Sequence, residues 1–401
     1  MANVSSSNGL EKRPKLRFPG FDEPYKQCRI GDIYAERSQR GASDMELLSV
    51  TINDGVKPRS EIEGKDNSSE DKSNYKIVHK GDMVYNSMRM WQGANGISPC
   101  DGIVSPAYTV LMPKHEINSG YFAALFKSAN LINEFRKNSQ GMTSDTWNLK
   151  YPQIETIKIQ IPSVSEQDKV SELFGVLDAR IVAQAQLIEA LKKYKRGVVR
   201  TLLSPKYCSI KDVKWTTSRI GDIGTFIKGA PLSKADISLE GTPFILYGEL
   251  YTTYSEVISN VVRKTQASVD KQYYSQIGDV IIPTSGETPE EISTASCVML
   301  PDIILAGDLN IYRCTQVDGR IMSYILNHVV NDRIARVAQG KSIVHVQAAE
   351  LSKIEITYPD QVSQKKIIAT LAAITKRIEQ SIRELELVQD QRKAFLQRLF
   401  I

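Results

Sequence analysis

The sequence predicts an α+β protein written twice: a tandem, pseudo-two-fold repeat of two mixed α/β domains separated by a long antiparallel two-helix coiled coil. Three observations lead there. Arg29-Ile30-Gly31-Asp32-Ile33 returns as Arg219-Ile220-Gly221-Asp222-Ile223, and Gly81-Asp82 before Met83-Val84 returns as Gly278-Asp279 before Val280-Ile281. The alternating segments Ile157-Lys158-Ile159-Gln160-Ile161 and Ile354-Glu355-Ile356-Thr357-Tyr358, closed by Pro162 and Pro359, each run into one unbroken helical pattern. The period is about 200 residues, and a period shared by separate motifs marks a duplicated unit.

In chain order, the first domain opens on its Arg-Ile-Gly-Asp-Ile strand start and carries a helical stretch with Tyr121, Phe122, Leu125, Phe126, Ile132 and Phe135 on one face. The second domain repeats that stretch with Ile321, Met322, Ile325, Leu326, Ile334 and Val337. Each stretch leads to a Gln-Gly step, Gln140-Gly141 and Gln339-Gly340, and then to its period-two strand. After the prolines the pattern predicts helices over 165–203 and 362–400. Ser165-Glu166-Gln167-Asp168 reads as a capping box for the first, Leu203-Ser204-Pro205 stops it, and Ser363 is placed to cap the second. These patterns divide the chain into a domain at 1–163, a long helix at 164–204, a second domain at 205–361 and a second long helix at 362–401.

The register of the two helices is the most informative pattern. Steps of three and four residues give Val170, Phe174, Leu177, Ile181, Gln184, Ile188, Leu191, Lys195, Val198 and Leu202. A constant offset then gives Ile367, Leu371, Ile374, Ile378, Ser381, Leu385, Val388, Arg392, Phe395 and Leu399, with the polar positions in the same places. Such alternation is a coiled-coil seam. A helix of that length reaches about 58 Å, so most of its stripe stays wet unless the two helices meet. Antiparallel pairing puts an approximate two-fold axis near Gln184 and Ser381, with a globule at each end. The alternative is that each helix packs on its own domain.

Composition excludes several classes. The chain has 401 residues, 51 Lys+Arg against 46 Asp+Glu for a net charge of +5, and 41% hydrophobic residues, which is too apolar for a disordered chain. No apolar run approaches the roughly 18 residues of a membrane span, and residues 1–9 are polar, so a cytoplasmic protein is expected. Cys28, Cys100, Cys208, Cys297 and Cys314 form no paired framework, and His79, His115, His328 and His345 are scattered. Buried free thiols and no metal site are therefore expected. Phosphate-binding loops, dinucleotide-binding glycine loops, zinc helices and nucleophile elbows are absent, as is the Asn/Asp-Pro-Pro-aromatic motif of amino-methyltransferases. Pro359-Asp360 before Lys365-Lys366 reads as a helix entry. The pattern suits a scaffold and reader with no catalytic residues and no cofactor of its own.

Candidate nucleic-acid contacts fall in polar loops that differ between the copies. The first has Tyr85, Asn86, Arg89, Trp91 and Gln92 in one loop and Thr143, Ser144 and Trp147 in another. The second has Thr284, Ser285 and Glu287, then Lys341, Ser342 and His345. Guanidinium and amide groups form bidentate hydrogen bonds to guanine and adenine edges, whereas hydroxyls and carboxylates read other patterns. Lys57, Arg59, Lys228 and Lys341 are placed to grip phosphate. Each loop alone is equally readable as a solvated or domain-packing loop, and each lysine as a solvated charge.

These residues resemble the specificity subunit of type I restriction-modification systems. Leu16-Arg17-Phe18-Pro19-Gly20-Phe21, the repeated Arg-Ile-Gly-Asp-Ile, Ile161-Pro162-Ser163-Val164-Ser165-Glu166-Gln167 entering Leu177-Asp178, and 187–197 carry the resemblance across nearly the whole chain. It implies two target-recognition domains, each reading half of a bipartite, asymmetric double-stranded DNA site, and paired helices that dock two methyltransferase subunits. S-adenosylmethionine would belong to those partners, restriction (translocase and nuclease) subunits could join them, and no membrane is involved. The second helix departs from the first at Thr375 in place of Asp178 and at Ala394 in place of Gly197, which puts equal docking in doubt. An architectural or adaptor coiled-coil protein that binds other proteins is the alternative function.

Overall fold

The computed structural model describes residues 13–41, 44–52, 55–66, 68–338 and 344–401. They form two compact units, Met1–Ala185 with Arg383–Ile401, and Gln186–Ile382. Each unit therefore contains one globule and one half of each long helix.

In the first unit, Lys26–Arg29 pairs antiparallel with Lys158–Ile161, setting Cys28 opposite Ile159. The chain then makes a single helical turn, Ile30–Ile33, and enters a four-stranded antiparallel sheet ordered Tyr34–Glu36, Tyr108–Pro113, Met83–Asn86, Asn95–Ile97. The second unit repeats the clasp, Trp215–Arg219 on Glu355–Pro359, and its turn, Ile220–Ile223. Its main sheet is mixed, because Val257–Ile258 runs parallel to Ser296–Val298 while the other pairs are antiparallel.

The repeated motifs have physical reasons. The Ile30 N–H donates to the Ile157 carbonyl, and the Ile220 N–H to that of Ile354, tying each domain's start to its end. A Cβ on Gly31 would lie 2.9 Å from Glu155 Cβ, and one on Gly221 2.8 Å from Ser352 Cβ, so these close approaches exclude any side chain. In the second motif Gly81 and Gly278 take φ of 92° and 96°, the left-handed region that favours glycine. The following aspartates close the turn: Asp82 accepts from the His79 N–H and from Arg37, and Asp279 from the Gln276 N–H and Arg313. A further repeat is structural. Gln167 accepts from the Asn118 N–H and donates to the Pro162 carbonyl, while Gln364 accepts from the Asp318 N–H and donates to that of Pro359.

Each expected helical stretch is two helices. Ser119–Leu125 and Ala129–Asn138 are separated where Ser128 caps the second, and Gly319–His328 and Asn331–Val337 are likewise distinct. Their apolar faces fill the two cores, around Phe122, Phe126 and Phe135 in one unit and Ile321, Ile325 and Leu326 in the other. Each such buried side chain stabilises by roughly 1.5–3 kcal/mol.

The long helices span Val164–Leu202 and Gln361–Arg398. Within the first unit they run antiparallel: Phe174 stacks on Phe400 at 5.9 Å, Arg392 pairs with Asp178, and Gln184 donates to Glu384 at 3.0 Å. In the second unit, Val199 and Leu202 share a core with Ile367 and Leu371. Every seam position is buried or half-buried. Val199 is fully buried where the strict alternation places Val198, because a helix of 3.6 residues per turn drifts against a 3.5-residue repeat.

The helix entries differ from expectation. Ser165 lies inside the helix, and its supposed capping partners are used elsewhere: Glu166 takes a bidentate bond from Arg17, and Asp168 accepts from Asn118. Asp360, not Ser363, caps the second helix, accepting from the Val362 and Ser363 N–H groups. The cysteines are all free, but only Cys297 is fully buried.

Candidate nucleic-acid interface

In each unit the fold brings together the two loops that the sequence marks separately. In the first, the strand Met83–Asn86 ends in a turn whose Ser87 carbonyl accepts from the Leu149 N–H. Trp91 therefore meets Trp147 edge to face, with centroids 5.2 Å apart, and the Arg136 guanidinium lies 5.4 Å from the Trp147 ring centroid. In the second, the strand Asp279–Pro283 ends at Thr284, whose carbonyl accepts from the Val346 N–H, and Ser285 lies opposite His345 on a short antiparallel ladder. The same backbone tie thus holds two different side-chain sets.

Several expected contact residues sit on these surfaces. Gln92, Thr143 and Ser144 are exposed and Trp91, Trp147 and Arg89 half-buried; Glu287 and His345 are exposed, and Thr284 is half-buried. Among the described residues the Arg89 side chain makes no hydrogen bond or ion pair, which leaves all its donors for a ligand. Asn86 is half-buried, and its amide oxygen accepts from the Met88 N–H, fixing the turn that presents Arg89. Lys228 is exposed at the end of its strand, and Lys57 half-buried on Gly55–Pro58.

Three residues differ from expectation. Tyr85 is fully buried in the first core, so its ring belongs to packing and not to a surface. Arg59 spends its guanidinium on the Ile62, Gly64 and Lys65 carbonyls and bridges to Asp66, which makes it the brace of its own loop. Ser285 is buried and donates to Asp308, a bond that holds the loop. Lys341 and Ser342 lie outside the described residues, as does the Gln339-Gly340 step. No spacing in the sequence marks Arg136: it sits on the helix preceding the loop and meets Trp147 only through the fold. Among the described residues no group of three or more His, Cys, Asp or Glu is placed to hold a metal ion.

The second unit also has a buried ionic cluster away from these loops. Glu256 accepts from Lys195 of the first long helix and bonds His328, both at 2.8 Å, and Lys195 lies 5.4 Å from the Tyr324 ring centroid. Burial alone would raise the Glu256 carboxyl, but the His328 hydrogen bond and the Lys195 charge overcome it and hold it at about 2. The first unit solves the same position differently. Arg392, the counterpart of Lys195, pairs with Asp178 across the helices, and the counterpart of Asp178 is Thr375, which has no charge to offer Lys195.

A duplicated domain that presents variable loops from a constant frame defines a tandem recognition protein. Residues 23–193 and again 212–387 match the model of the type I restriction modification DNA specificity domain, and the chain belongs to that family. It is similar to two proteins of Methanocaldococcus jannaschii. The type I restriction enzyme MjaVIII specificity subunit is 23% identical over 80% of this chain and 79% of its own length. A putative type I restriction enzyme MjaX specificity subunit is 23% identical over 76% and 69%. Two solved structures share the fold at 14% identity. A chain from work on complex assembly and conformational transition of the type I R-M system has a TM-score of 0.61 and covers 95% of this chain and 98% of its own. The S subunit from M. genitalium has a TM-score of 0.58, covering 97% and 99%. The protein is a type I restriction-modification specificity subunit with two DNA-recognition domains.

Proposed function

We propose that each unit reads one half of a bipartite, asymmetric duplex site, and that the chain does so without catalytic residues, as the reader for two methyltransferase subunits docked on its helices. The supporting observation is the shared backbone tie, Ser87 to Leu149 and Thr284 to Val346, which fixes two unlike side-chain sets on one frame. Arg89 and Gln92 suit bidentate contact with base edges in one half-site, and Thr284, Glu287 and His345 a different pattern in the other. Arg136, Lys57 and Lys228 supply phosphate contacts that position the duplex without reading it. S-adenosylmethionine and the target adenine would be held by the methyltransferase partners, restriction subunits could join the same assembly, and the complex would work in the cytoplasm. Among the described residues no helix is long and apolar enough to cross a membrane.

The test exchanges about residues 206–360 for the equivalent segment of a relative and sequences the methylated sites of the resulting complex. One half of the motif should change while the other stays. A change in both halves would refute independent readers, and methyl transfer by the rigorously purified chain alone would refute the non-catalytic assignment.

A further inference from the structure

The two halves of the helix pair differ in charge far more than their shared register requires. In the second unit, residues 186–202 and 361–382 carry nine Lys and Arg against two Glu. In the first, residues 164–185 and 383–398 carry six against seven Asp and Glu. The excess faces water: Lys193, Arg196, Arg200, Lys365, Lys366 and Lys376 are all exposed. Apolar character does not separate the halves, since Val176 and Leu387 are 62% exposed in the first unit and Tyr194 is 61% exposed in the second. Charge does.

We infer that the two methyltransferase-docking faces are chemically unequal: the second unit's helix half is a basic strip that seats an acidic face of its methyltransferase subunit, while the first unit's half holds its copy by apolar contact. This rests on the docking proposed above. The strip's position favours a protein over DNA. Gln364, at the start of the second long helix, bonds Asp318 beside Gly278, and Gly278 precedes the strand Asp279–Pro283 whose far end carries the Thr284–Ser285 loop. The strip therefore begins at the opposite end of that strand from the reading loop. Its Coulomb attraction is screened as the Debye length falls from about 10 Å at 0.1 M salt to about 3 Å at 1 M, whereas apolar contact is not. The same partner should thus fill the second unit first at low salt and leave it first at high salt.

The experiment titrates the full chain with the adenine methyltransferase subunit of its own system at 50, 150 and 500 mM salt, reading stoichiometry by native mass spectrometry and location by hydrogen exchange. Two binding steps are expected. The step that protects 193–200 and 365–376 should weaken by about tenfold or more across this range, and the step that protects 176–182 and 387 by about threefold or less. Arg196→Glu with Lys366→Glu should remove the steep step at 50 mM and leave the flat one, and Arg196→Gln with Lys366→Gln should give an intermediate loss. Equal salt dependence of both steps overturns the inference. So does an unchanged two-step titration of the charge-reversed chain, including the case in which that chain loses only DNA affinity, which would assign the strip to DNA. Failure of the methyltransferase to bind at any salt would instead refute the docking reading itself.

Discussion

Replacing Glu256 by Gln keeps the shape of the side chain and removes the charge that holds two basic groups. Lys195 is 8% exposed and bonded to Glu256 at 2.8 Å, and His328 bonds the other oxygen at the same distance, so neither can turn fully to water. Removing one partner of a buried ion pair costs about 3–5 kcal/mol, because the remaining charge is left uncompensated. A loss of about 3 kcal/mol in a unit of this size lowers its Tm by roughly 6–12 °C, at about 2–4 °C per kcal/mol. Asp178→Asn is the control: it breaks the corresponding pair in the first unit, but Asp178 is 52% exposed, so water screens that pair and the cost stays under about 1 kcal/mol. The pH dependence gives a second check. The Glu256 carboxyl is held at about 2, below its ordinary 4.5, so its contribution is fully present above about 4.5 and lost as pH falls from there towards 2. Wild type and Glu256→Gln should therefore differ most near neutral pH and converge across that window in calorimetric scans. A neutral-pH difference under 1 kcal/mol, or a gap that persists unchanged to pH 2.5, would show that the cluster does not lock the helix to the globule.

Three further outcomes follow from the geometry. Arg89→Ala should cost on the order of 1–3 kcal/mol and relax one base position of one half-site, while Lys228→Ala should weaken all duplexes alike and flatten the salt dependence; competition binding with single-base variants separates the two, and a uniform loss from Arg89→Ala would reduce it to a phosphate or folding role. Gly221→Ala drives a Cβ to 2.8 Å from Ser352 Cβ and should destabilise the second unit by about 1–3 kcal/mol in urea unfolding, whereas Gly197→Ala meets nothing within 4 Å and should be neutral or stabilising by up to about 1 kcal/mol. Burial pushes the Cys297 thiol up to about 12, so it should stay unlabelled by a thiolate-specific reagent at pH 8 until the chain unfolds, and rapid labelling of the native chain would contradict that burial.

The frame was legible in the sequence because duplication makes it so. A glycine kept at Gly31 and Gly221 reports a close approach, and an aspartate kept after Gly81 and Gly278 reports an arginine that must find it. Each side chain repeated in register answers to a backbone constraint that also repeats. The helix entries depart from their local pattern for the converse reason. A capping box is a local pattern, and at Ser165 the local groups are claimed by distant partners: Arg17 takes Glu166 from 149 residues away, and Asn118 takes Asp168.

The site was legible only as loops. That the loop at Arg89 and the loop at Trp147 share one surface depends on the Ser87 carbonyl reaching Leu149, a contact no spacing announces. Tyr85 shows the cost of reading loops from polarity and aromatics alone: one residue before Asn86, it still belongs to the strand and points into the core. Strand alternation separates the two roles, since a side chain one position from the edge can face either the core or the ligand. The two readers can therefore diverge in specificity while the frame stays fixed. In both copies the backbone carbonyl that joins the loops lies one residue past the end of the strand, so the side chains beyond it can change without disturbing the sheet, the clasp or the helices.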